Sequence, residues 1–156
     1  MRSGAIVPAL AVALACGDST GPTSVMGAYT LQSVGGSALP YLAAQSMRME
    51  QDTISGQILV VDVTAHVING SLRLHGDSTY THTATHRVTE DFFDVLHGEL
   101  LDTKVTTLAP DTTLGAFAVT GTSIQLTSSD GAVTNGSHSG DTIRLVWSGV
   151  AWVYQR

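Results

Sequence analysis

The sequence predicts an all-β chain that closes as an antiparallel up-and-down barrel of about eight strands, and three observations carry that expectation. From Tyr29 onward, short segments of alternating apolar and polar residues are separated by brief turn links such as Gly121-Thr122, Asp130-Gly131, Gly140-Asp141 and Ser148-Gly149. The segments are rich in β-branched residues, above all Ile58 to Ile68. The chain has 156 residues, 43% hydrophobic and 13% charged, which is enough for one domain with a sizeable core. Its only cysteine is Cys16, so that core must hold without an intramolecular disulfide.

Taken in order, the first strand is Tyr29 to Val34, closed by Gly35-Gly36-Ser37. Leu39 to Ser46 reads as a loop or one helical turn, with Pro40 suited to a first helical position. Ile58 to Ile68 is a long strand. Asn69-Gly70 is expected to turn it tightly, because type I′ turns need positive φ at both central residues. The return strand is Ser71 to His75, Gly76-Asp77 is a second turn, and Ser78 to Val88 is a third strand.

Thr89 to Gly98 changes period. Phe92, Phe93, Leu96 and Leu100 fall at helical spacing, Thr89 suits a cap, Glu90 and Asp91 suit a first turn and Gly98 an end. One short helix or a compact loop insertion is expected there. A strand resumes over Leu100 to Leu108 and stops at Pro110-Asp111. The last third reads as five strands: Leu114 to Thr120, Ser123 to Thr127, Ala132 to Ser137, Ile143 to Trp147 and Val150 to Gln155.

The first residues read as an address. Arg2 precedes an uncharged run, Gly4 to Ala15, that is too short to span a bilayer, which takes about 20 apolar residues. A signal helix is expected over 1–15. With Cys16 directly after Ala15, the segment resembles the lipobox of bacterial lipoproteins, although Ala13 stands where that family has leucine. The resemblance implies lipidation of Cys16, a membrane anchor bearing palmitate-type chains, and a cell-envelope location, expected to be the outer membrane. An ordinary cleaved signal beside a cysteine explains the same run. Residues 16–25, small, polar and turn-rich, are expected to be a flexible tether, and 26–156 the barrel domain.

Gly27 to Leu31, Leu39-Pro40-Tyr41, Gly70 to Leu74 with Asp77 to Tyr80, and Gly115 to Gly121 before Ile124 and Leu126 resemble, in that order, the small lipocalin-like lipoproteins of bacterial envelopes. The resemblance implies a barrel at the envelope and brings no catalytic residues. Thr89 to Pro110 is longer than the family's link.

Several patterns touch on chemistry. His82 and His86 share a face of a strand with Cα atoms roughly 13 Å apart, too far to share one metal without help from other strands, such as His66, His75 or His138. Glu90, Asp91, Asp94, Glu99 and Asp102 lack the spacing and glycine of a calcium loop and read as a solvated acidic face. Asn69-Gly70-Ser71 and Asn135-Gly136-Ser137 fit a glycosylation pattern but read as hairpin turns. Gly136 to Gly140 places His138 where a nucleophile elbow needs serine. No metal, cofactor or catalytic set is expected, so the chain does not read as an enzyme. The net charge of −6 without a basic stripe argues against nucleic acid.

Two functional readings follow. In the first, Leu72, Leu74, Phe117, Val119, Ile124, Leu126, Ile143, Leu145 and Trp152 fill the barrel, and the protein is a structural or partner-binding envelope lipoprotein. In the alternative, the barrel is a lipid-anchored binding module holding a small apolar ligand.

Overall fold

The computed structural model describes residues 24–156, so the expected signal over 1–15 and the Cys16 lipidation site lie outside the described residues. Eleven strands are formed: β1 (Gly27–Val34), β2 (Ser37–Ala38), β3 (Tyr41–Gln51), β4 (Ile58–Leu74), β5 (Thr79–Asp94), β6 (Leu100–Thr107), β7 (Asp111–Thr120), β8 (Ser123–Ser128), β9 (Val133–Ser139), β10 (Thr142–Trp147) and β11 (Val150–Gln155). Eight of them close into an antiparallel barrel in the order β1-β11-β10-β9-β8-β7-β5-β4, because β1 pairs with β11 on one side and with β4 on the other. This architecture is consistent with a lipocalin-like fold.

The barrel has a base and a mouth. The β4–β5, β7–β8 and β9–β10 turns lie at the base, and the β8–β9 and β10–β11 turns lie at the mouth. Strands β4 and β5 are about twice as long as the others in the barrel, and they run past the mouth together. Their base halves belong to the barrel: Ser71–Leu74 pairs with β1, and Thr79–Ala84 with β7. Beyond Val67 and His86 the two strands stay paired with each other but leave their barrel neighbours. There β3 takes the freed edge of β4, and β6 takes that of β5. The result is a four-stranded wing, β3-β4-β5-β6, reaching roughly 30 Å beyond the mouth at about 3.3 Å per residue.

A β-bulge marks the junction. Val67 pairs with His86 and Asn69 with Thr85, so Ile68 is an extra residue on β4. The bulge shifts which residues face the barrel side, from Leu74, Leu72 and Gly70 to Val67, Ala65, Val63 and Val61.

Three local expectations are corrected. Asn69-Gly70 does not turn the chain; both residues lie inside β4. Thr89 to Gly98 contains no helix: β5 continues to Asp94, and Val95–His97 is a turn. The helical spacing of Phe92 and Phe93 arises because they sit on opposite faces of a wing strand whose two sides both carry apolar residues. Leu39 to Ser46 is likewise extended, following a cis Leu39-Pro40 bond into β3.

Asn135-Gly136 also lies within a strand, β9, and the reason is packing. A Cβ on Gly136 would stand 2.2 Å from the Arg144 carbonyl oxygen and 2.8 Å from Leu145 Cδ2. The glycine lets β10 approach closely. By contrast, Gly131, Gly140 and Gly149 have positive φ in the expected turns.

The core fills the barrel from the base up. Leu72, Leu74, Ile124, Leu126, Ile143 and Leu145 are buried with Tyr29, Leu31, Val34, Tyr80 and Tyr154, and Phe117, Trp147 and Trp152 pack against them. Val119, expected inside, is exposed near the base end of β7. Gly136→Ala should destabilise the barrel by about 1–3 kcal/mol, since the overlap falls on backbone that cannot move aside. Urea unfolding of the two proteins checks this. An unchanged midpoint would show that β9 and β10 are not held this close.

Candidate functional site

Two places in the molecule are unlike an ordinary barrel: the mouth and the wing. At the mouth, His82 points inward from β5 and is 7% exposed. Its Nε2 is 2.9 Å from the Tyr154 hydroxyl. Its ring is tilted against Trp147 at 4.4 Å between centroids, with Trp152 edge-on at 5.9 Å and the two indoles 5.6 Å from each other. Burial lowers the His82 pKa to about 4, so the imidazole is neutral at pH 7. The same burial pushes the Tyr154 hydroxyl far above its ordinary range.

Two cavities flank Trp147. One, about 200 Å³, is lined by Val34, Tyr41, Val67, His86, Val150 and Trp152 and is largely apolar. The other, about 320 Å³, is lined by Tyr80, Thr113, Ser128, Asp130, Thr134 and Ser148. The apolar cavity is smaller than the ~300 Å³ at which small-molecule pockets begin, and the larger one is walled by hydroxyls.

His86 shares the inward face of β5 with His82, as four-residue spacing on a strand requires. It contacts Asp111 at 3.4 Å instead of joining His82. The other histidines are apart: His75 meets the Thr81 hydroxyl, His138 the Gly121 carbonyl, and His66 Nδ1 is buried without a partner. Among the described residues, no three His, Cys, Asp or Glu side chains stand together as metal ligands would.

The wing carries most of the charge. Glu50, Asp52, Asp62, Glu90, Asp91, Asp94, Glu99 and Asp102 face only Arg48, Arg87 and Lys104 there. On the face continuous with the barrel interior, Arg48 bridges Glu50 at 2.6 Å and Glu90 at 2.7 Å, and Lys104 reaches Glu90 at 3.6 Å. These hydrogen bonds and charges hold Glu90 below the usual carboxylate range. Arg48, opposite Val61, crosses β4 to reach Glu90, and Val61 is fully buried although among the described residues the sheet has no second layer.

The opposite face is apolar along one edge. Met47 and Met49, each 74% exposed, sit beside Val60 on an open groove of about 380 Å³ that follows β3. Among the described residues, the outer edge of β3 has no strand partner, and neither does that of β6. Sequence reasoning missed this surface because it read Leu39 to Ser46 as a loop or one helical turn, left Met47 to Gln51 unassigned, and read Thr89 to Gly98 as a short helix or compact loop. The signal was present in Met47 and Met49, which alternate with Ser46, Arg48 and Glu50.

Compared with known proteins, the chain matches no family model, no curated protein and no solved structure.

The His82 pKa sets a pH dependence. Its folded value lies below the ordinary 6.5, so protons bind the unfolded chain first as pH falls. Stability is therefore full above pH 6.5 and is lost between 6.5 and about 4, by up to about 3 kcal/mol at 1.36 kcal/mol per unit. The groups against His82 are Tyr154 and the two indoles, none of which titrates in this window. Urea unfolding at pH 7 and pH 4.5 should show the loss in the wild type and a much flatter profile in His82→Gln. Equal slopes would assign the acid sensitivity elsewhere.

Proposed function

We propose that this chain is a bacterial envelope lipoprotein, tethered through Cys16, that binds a protein partner with the β3 edge of its wing. The observation that carries the reading is the combination of an unpaired strand edge, the apolar groove of Met47, Met49 and Val60 beside it, and a surrounding excess of carboxylates. An unpaired edge offers a row of backbone donors and acceptors that an added strand satisfies. The methionines supply adaptable apolar contact, and the acidic surround selects a partner strand bearing Lys or Arg. Anionic lipid would be repelled by the same charges, which favours protein over membrane as the occupant of this face.

The geometry suits a tether. The chain enters the barrel at its base, where Arg156 holds the Met26 carbonyl at 3.0 Å and pairs with Asp141 at 2.8 Å. The wing leaves from the other end. Residues 16 to 24 reach at most roughly 28 Å, so an anchor on Cys16 keeps the base near the bilayer and turns the wing away from it. The alternative, an apolar ligand inside the barrel, has only the 200 Å³ cavity at the mouth to draw on.

A peptide of alternating Lys and Val, added to the full chain, should slow hydrogen exchange of the β3 amides, and a Glu/Val peptide should not. Met47→Glu with Met49→Glu should abolish the protection without unfolding the barrel. Protection confined to other strands, or equal for both peptides, would overturn the wing assignment. Separately, labelled palmitate should enter the wild type expressed in a two-membrane bacterium and not Cys16→Ser; an unlabelled, soluble wild type would remove the anchor.

A further inference from the structure

The larger cavity at the mouth contains buried hydroxyls that the fold does not use. Tyr80 is 2% exposed and Thr134 6% exposed, and both line this 320 Å³ space. Neither hydroxyl makes a hydrogen bond among the described residues. Nor is either sealed away, since among the described residues the one sealed side-chain atom without a partner is His66 Nδ1. Both residues line the cavity, and their partly exposed hydroxyls are free to take a partner there. The Tyr80 position is built: it pairs with Gly115, where a Cβ would stand 2.7 Å from the Tyr80 ring. Only glycine leaves room for the ring.

The remaining walls define what fits. Thr113, opposite His82, adds a third hydroxyl, and Trp147 adds an indole wall. At the exposed rim stands Asp130, one of whose oxygens accepts hydrogen bonds from the Ser128 hydroxyl and the Ala132 amide. No lysine or arginine lines the cavity.

We infer that this cavity is a binding subsite for a neutral, multiply hydroxylated ring of monosaccharide size. One ring face packs on Trp147, and ring hydroxyls bond to Tyr80, Thr113 and Thr134. Hydroxyl groups both donate and accept, so three of them with no fixed charge among them suit a ligand whose own groups are hydroxyls. The Asp130 carboxylate accepts from a neutral ring but opposes an anionic one. A volume of 320 Å³ admits one ring and excludes a lipid chain of ordinary length. This site is independent of the wing.

The test uses the full chain and D-glucose, N-acetyl-D-glucosamine and D-glucuronate as probes. Both tryptophans of the protein, Trp147 and Trp152, are at the mouth, so selectively excited tryptophan fluorescence reports this region alone. At least one neutral sugar should change it saturably, with a dissociation constant on the order of 1 mM, and glucuronate should bind several-fold more weakly. Tyr80→Phe and Thr134→Val should each weaken binding about three- to tenfold. They should leave the melting temperature unchanged or slightly higher, because neither hydroxyl has a protein partner to lose. Met47→Glu should leave sugar binding as it is. If neither neutral sugar gives a saturable change, if glucuronate binds as well as both, or if neither hydroxyl deletion weakens binding, the cavity holds water only and the inference fails.

Discussion

A backbone polar group taken from one partner must find another, and this constraint shapes the whole molecule. The β4–β5 ladder is continuous from the base of the barrel to the wing tip. Where it leaves the mouth, it strips an edge from β1 and exposes an edge on each of its own strands. The chain repairs these with what is next in sequence. Strand β2 covers β1 at Ser33 and Val34, β3 covers β4, and β6 covers β5 before the chain returns to the mouth as β7. The edges left over are moved outward to β3 and β6. The edge proposed to dock a partner is thus a consequence of closing the barrel while keeping a longer hairpin inside it.

The mouth shows the same trade in its side chains. An imidazole buried in an aromatic setting costs free energy unless its polar atoms are matched. The Tyr154 hydroxyl matches one nitrogen of His82, and the indoles of Trp147 and Trp152 cover the ring. A neutral, stacked His82 makes the top of the core rigid, which is what a fixed cavity wall needs. Trp147 forms that wall on both sides, so one side chain separates the apolar space from the hydroxylated one.

How much of this was legible depended on the kind of signal. The last five strands follow their turns closely, because Asp130-Gly131, Gly140-Asp141 and Ser148-Gly149 need positive φ and sit between strict alternations. The inward set from Leu72 to Leu145, Val119 excepted, could be read for the same reason. The wing could not. A single-layer sheet has no dry face, so β3 and the far half of β5 carry apolar and charged residues on both sides, and their period is blurred. Asn69-Gly70 misled because two different causes put glycine after asparagine: a turn needing positive φ, and a strand needing close approach. At Gly70 a Cβ would stand 2.9 Å from the Thr83 carbonyl oxygen. The clue was the parity of the apolar residues, odd from Leu59 to Val67 and even from Gly70 to Leu74, which is the mark of a bulge and not of a reversal. At the candidate cavity, no spacing in sequence links Tyr80, Thr113 and Thr134; only barrel closure brings them together.

What keeps the wing ordered bears on its use. Exposed ion pairs such as Arg48–Glu50 contribute about 0–1 kcal/mol each, and the wing has no second layer against which to bury apolar surface. Val61 and Val67 are its only fully covered hydrophobic side chains among the described residues, and Val67 belongs to the junction with the barrel. Order therefore comes from continuity: β4 and β5 leave the barrel already paired and in register, so each further residue costs only its own ordering and adds a ladder bond. Strands β3 and β6 are held by that spine from one side. A strand added to β3 would complete its hydrogen bonds and cover Met47 and Met49, supplying part of the layer that the fold itself leaves out. An edge of this kind presents a fixed register and leaves hydrogen bonds for an added strand to complete, and those two properties together support the docking proposed for β3.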